Sequence, residues 1–146
     1  MRARLLFANM LLLLGLASSY AQDTLSSEYN LLMQIRGREI TAICIMEAQA
    51  DQSIVGTVVN EFGVKAFDFS YSGAKAKIFN VIAPLDKWYI RKVLRGDFAF
   101  ILSNINSGQD AVKKKRRLTH LSNGDISVSN DRYKIHYTFT PMPSKQ

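Results

Sequence analysis

Two histidines and one cysteine are the only imidazoles and thiol this chain offers toward nucleophilic or metal chemistry. His120 and His136 stand 16 positions apart and Cys44 is far from both, so no ligand-spaced cluster exists for a metal. A hydrolytic triad needs a base beside its nucleophile and a third group to orient that base. His136 falls on the polar face of an alternating strand, His120 has no acid near it in sequence, and no Gly-x-Ser-x-Gly elbow occurs. Neither a phosphate-cradling P-loop nor Gly-x-Gly-x-x-Gly is present. Glu61 and Asp68 pair as glycosidase carboxylates only in the sense that any two acids could. Arg95-Gly96-Asp97 spells an adhesion tripeptide, but it lies between two apolar helical segments, whereas recognition loops are surface loops. The expectation is a non-enzyme with no cofactor and no metal.

The strongest surface feature is the cation run Lys113, Lys114, Lys115, Arg116 and Arg117. On a strand, three of these point one way and two the other, and burying either set is costly. The run is therefore expected on an edge strand or exposed loop, where it either deters edge-to-edge pairing or binds an anionic partner. The formal net charge is +7, of which Arg2 and Arg4 supply two. Positive charge of this size suits anionic lipid headgroups.

The chain opens with Arg2 and Arg4, an apolar run from Leu5 to Leu16, and then small residues at Ser19 and Ala21. This is the layout of a cleavable secretory signal, with the cut expected before Gln22. An apolar run of about 12 residues is short of the roughly 20 that span a bilayer. No cysteine follows the expected cut to carry a lipid, so a periplasmic or secreted, unanchored domain is expected over 22–146, with no transmembrane segment and no nucleic-acid partner. A lone cysteine forms no internal disulfide, so folding must rest on packing.

Those residues need elements to hold them. From Glu39, Ile40, Ala42, Cys44 and Met46 alternate with Thr41, Ile43, Ile45 and Glu47, which predicts a strand with Cys44 inward. Further strands are predicted over Ser53–Glu61, with Gly56 at a bulge, then Val64–Tyr71 and Lys77–Ala83. Pro84 and Asp86 mark a helix start, and Leu85, Trp88, Tyr89 and Val93 share one helical face. Gly96 is expected to interrupt it, with Phe98–Leu102 as a second helical segment. Strands return over Ala111–Leu121, Ile126–Ser129 and Arg132–Thr140, the last with Tyr133, Ile135, Tyr137 and Phe139 inward. Gln22–Leu31 is polar and uncommitted. The fold expected is α+β: a curved antiparallel sheet, or half-barrel, with a helix or helical hairpin on its concave face. Strands apolar on both faces beside an aromatic helix imply a concave apolar cavity suited to lipid, with Phe67, Phe69, Trp88 and Tyr89 as its expected wall.

Asn60-Glu61-Phe62-Gly63-Val64-Lys65-Ala66-Phe67-Asp68-Phe69, followed by Trp88-Tyr89-Ile90-Arg91-Lys92-Val93-Leu94-Arg95-Gly96-Asp97-Phe98, resembles a group of small envelope proteins and lipoproteins of Bacteroides-type bacteria. That group is similar to the LolA/LolB lipoprotein-carrier fold. The resemblance implies a carrier-like protein that binds an acyl chain or a lipoprotein. The missing lipid-bearing cysteine favours a LolA-type shuttle over a LolB-type anchored acceptor. The alternative is a secreted interaction module that docks on another envelope component through its basic strand.

Overall fold

The computed structural model describes residues 25–143; the signal expected at 1–21 lies outside them. The described residues form nine strands: β1 (Leu25–Ile35), β2 (Arg38–Ala48), β3 (Ile54–Asn60), β4 (Lys65–Ser72), β5 (Lys75–Phe79), β6 (Ala111–Lys113), β7 (Arg116–His120), β8 (Ile126–Asn130) and β9 (Ile135–Pro141). A 3-10 turn (Ala83–Leu85) and one helix, α1 (Trp88–Asn104), lie between β5 and β6. The strands form a single antiparallel sheet in the order β5-β4-β3-β2-β1-β9-β8-β7-β6. Two meanders are thus joined where β1 pairs with β9, with Leu31 opposite Phe139, and the helical segment connects the two edge strands.

The polar start of the domain therefore holds the middle of the sheet. Tyr29, Leu31 and Met33 alternate with Glu28, Asn30, Leu32 and Gln34, and the first three are buried. The same face continues through Ala42, Cys44 and Met46 of β2, Phe67 and Phe69 of β4, and Tyr137 and Phe139 of β9. Phe98 of α1 lies on this face, its ring 5.3 Å from Phe67 and 6.4 Å from Tyr137. Those two rings are thus within about 12 Å of each other, where four flat strand spacings would separate them by roughly 19 Å. The sheet is curved.

Several local expectations are corrected. α1 runs unbroken through Gly96, so there is no helical hairpin. A single internal glycine costs about 1 kcal/mol, which the buried stripe Leu94, Phe98, Ile101 and Ile105 outweighs. Gly56 is no bulge. It faces Phe69 across the β3–β4 ladder, and a Cβ there would collide with the Phe69 ring and the Ile45 carbonyl. The register shift lies beside it, where Val58 pairs with Phe67 and Val59 with Lys65, leaving Ala66 as the extra residue. Tyr133 sits half-exposed in the turn before β9 and not in the core. The cation run is a hairpin, with Lys113 paired to Arg116 across a turn at Lys114 and Lys115. It does border an edge, since β6 ends the sheet.

Cys44 is fully buried among these apolar side chains, and burial pushes its thiol up to about 12. Its folded value lies above the unfolded value of about 8.5, so its contribution to stability is complete below that pH and is lost as pH rises toward 12. Urea unfolding at pH 9.5 is expected to give about 1.4 kcal/mol less stability than at pH 7.5, with the decline absent in Cys44→Ala. An equal decline in the variant would contradict this origin.

Candidate functional site

The stripe that buries α1 carries one acid. Asp97 is 1% exposed and lies between Leu94, Phe98 and Ile101 on the sheet-facing side. Three donors reach it from three strands. Arg116 Nε of β7 donates to Oδ1 at 2.8 Å, Asn130 Nδ2 of β8 to Oδ1 at 2.7 Å, and Tyr137 Oη of β9 to Oδ2 at 2.6 Å. Burial, and then the negative charge of Asp97, hold the Tyr137 phenol well above its ordinary pKa, so it keeps its proton and donates. Asn130 Oδ1 in turn accepts from the Arg132 and Tyr133 amides, which shapes the β8–β9 turn. Gly96 admits the Arg116 side chain: a Cβ there would come 2.5 Å from Arg116 Nη2. With both oxygens engaged and no solvent contact, this carboxylate acts as an anchor.

The anchor lies near the middle of α1, and the two halves of the helix pack differently. Beyond it, Phe98, Ile101, Leu102 and Ile105 are buried against the sheet. Before it, Ile90 and Val93 are only partly buried, and beneath them opens a cavity of about 370 Å³. Its floor is Met33, Ala42, Val58, Phe67 and Tyr137 from four neighbouring strands and β9's start, and its roof is Leu85, Tyr89, Ile90, Val93 and Leu94. Arg36, Thr41 and Asn60 are the polar side chains at its margin. Arg36 lies in the two-residue β1–β2 turn, with φ +49 followed by Gly37 at φ +79, as a primed hairpin turn requires. The volume lies within the roughly 300–1,000 Å³ of small-molecule sites.

Of the four expected wall residues, the structure brings two to this cavity. Phe67 lies on the floor and Tyr89 at the roof. Phe69 is taken up in the core over Gly56 and against Phe98. Trp88 is 71% exposed because α1 begins at Trp88, so the buried stripe starts at Ile90 and Leu85 belongs to the preceding turn. Within the basic run, Lys113, Lys114, Lys115 and Arg117 are exposed, but Arg116 is committed to Asp97. His120 does have an acid at hand: Asp110 Oδ1 accepts its backbone amide at 2.8 Å and lies 3.7 Å from its Nδ1. Its Nε2 lies 3.3 Å from the Ile105 carbonyl, which ties the end of α1 to β7.

No protein-family model matches the chain, and no curated protein matches it. The residues that carry the resemblance have a local structural role. Asn60 Oδ1 accepts from the amides of Phe62 and Val64 at 3.0 and 2.9 Å and closes the β3–β4 turn, where Gly63 takes φ +77. Lys65 pairs with Asp68 at 3.0 Å, and Asn80 donates to the same oxygen at 2.8 Å. Burial pushes the Asp68 carboxyl up, but the bonds from Asn80 and Lys65 prevail and hold it below the usual range. Among the described residues, no three His, Cys, Asp or Glu side chains gather as a metal site would require, and no helix is long and apolar enough to cross a membrane.

Sequence reasoning passed over Asp97 as part of a chance tripeptide. Its signal was an acid on the apolar helical stripe, at i+3 from Leu94 and i−4 from Ile101. Tyr137→Phe, which removes the 2.6 Å bond to Asp97, is expected to cost about 1.5–3 kcal/mol in urea denaturation. A Tyr137→Phe protein as stable as the parent would contradict the anchor.

Proposed function

We propose that this chain is an exported, non-enzymatic carrier-like protein that holds a lipid acyl chain, free or attached to a lipoprotein, between α1 and the sheet. The observation that carries this reading is the 370 Å³ apolar cavity left under the first half of the helix. The convergence of Phe67 and Tyr137 on one Phe98 ring supports a half-barrel with the helix on its concave side. Each methylene removed from water contributes about 0.8 kcal/mol, so eight of them gain roughly 6 kcal/mol before ordering costs. Ile40 and Tyr89, both lining residues, are half-exposed, which gives a tail a way in.

A second reading is an interaction module that docks on another envelope component. It is favoured by the exposure of Lys113, Lys114, Lys115 and Arg117 beside the edge strand β6. It needs no cavity.

Mass spectrometry of lipid extracted from protein purified from its native envelope separates the two. The carrier reading expects about one acyl lipid per protein, largely lost in Ala42→Phe, which fills the floor of the cavity. Replacing Lys113 and Arg117, exposed cations that line neither the cavity nor its rim, with Gln is expected to leave the acyl load in place. Protein that carries no lipid, or an Ala42→Phe variant that carries as much as the parent, would contradict the carrier reading.

A further inference from the structure

We propose that the ligand is a phosphate-bearing amphiphile, whose tail enters the apolar cavity while its phosphate sits in a basic pocket beside it. This inference rests on the acyl-chain reading above and specifies the head that the tail must carry. The basic pocket, about 170 Å³, is lined by Lys92 of α1, Lys114 and Lys115 of the β6–β7 turn, Arg116 of β7 and Arg132 of the β8–β9 turn. Val93 and Tyr133 line both it and the apolar cavity. One wall thus separates a greasy compartment from a cationic one, which is the layout an amphiphile matches.

Four of the five cations there lack a charged partner, Arg116 being paired with Asp97. Among the described residues, Lys92, Lys114, Lys115 and Arg132 make no ion pair. The buried acid close by, Asp97, already accepts from Arg116, Asn130 and Tyr137. Cations from three separate segments repel one another when the pocket is empty, and an anion relieves that repulsion. Arg132 lies with its guanidinium 5.6 Å from the centre of the Tyr133 ring, which places its charge at the shared wall.

The number of cations selects the anion. A carboxylate offers one charge and two oxygens, which one or two basic groups satisfy. A phosphate monoester carries close to two charges and three terminal oxygens, a match for donors arriving from several directions. The same chemistry could come from a free phosphate compound without a tail, and the shared wall argues for joint occupation.

Calorimetric titration of the full chain with three probes tests this: a tetradecanoyl lysophosphatidic acid, tetradecanoate, and glycerol 3-phosphate. The lysophosphatidic acid is expected to bind about tenfold or more tightly than tetradecanoate, with the gap narrowing at high salt, and glycerol 3-phosphate is expected to bind far more weakly than either. A Lys92→Gln/Lys115→Gln/Arg132→Gln variant, altered only at exposed side chains, is expected to lose that preference and bind tetradecanoate as before. Equal affinity for the two tailed probes in the parent protein would overturn the phosphate proposal and leave the acyl reading standing. Glycerol 3-phosphate binding as tightly as lysophosphatidic acid would overturn joint occupation. Binding of neither tailed probe would overturn the acyl reading itself.

Discussion

A single buried carboxylate fixes where the helix lies on this sheet. Taking Asp97 out of water costs several kcal/mol, and only close donors recover it. The donors come from β7, β8 and β9, three successive strands on one side of β1. The helix can therefore neither slide along its axis nor rotate without stranding a charge. On the other side of β1, Phe98 packs on Phe67 and Phe69 of β4. Polar contacts on one flank and aromatic contacts on the other thus hold strands from both sides of β1 to one helix.

The cavity follows from that placement. With α1 pinned at Asp97, the large side chains Phe98 and Phe100 come after the anchor, and the smaller Ile90 and Val93 come before it. The first half of the helix is held over Met33, Ala42, Val58, Phe67 and Tyr137, with the gap left open between them. The strand register also gathers the β1–β2, β3–β4, β6–β7 and β8–β9 turns at this same end of the sheet. Arg36, Lys114, Lys115 and Arg132 all sit in those turns. The opening of the apolar compartment is thereby set beside these four cations, with Glu61 and Asp131 in the same turns.

Much of this was legible in the chain. Alternation located β2, β3, β4 and β9, because one covered face imposes a period of two on every strand. The same rule placed Cys44 and Phe67 inward. β1 was obscured because its first four residues are all exposed and mostly polar, and because Leu32, on the outward side, interrupts the alternation of Tyr29, Leu31 and Met33. The helix was legible, but its phase was not. Pro84 and Asp86 pointed to a start several residues early, which turned Trp88 inward when the true stripe begins at Ile90. The site was harder still, because Asp97, Arg116, Asn130 and Tyr137 are distant in sequence and meet only through strand order. The β7–β8 and β8–β9 pairings set the three donors side by side, and only the packing of α1 across them supplies Asp97, which no local pattern reports. The basic run was read correctly as exposed except at Arg116, whose partner lies nineteen residues back.

The proposal that an acyl chain occupies the space beneath the first half of α1 is tested most directly by a crystal structure of the protein purified from its native envelope. Continuous elongated density is expected between Phe67 and Leu94 toward Tyr133, with α1 held in place by Asp97. A structure in which Leu85 and Tyr89 fold down onto Met33 and close the space would contradict it.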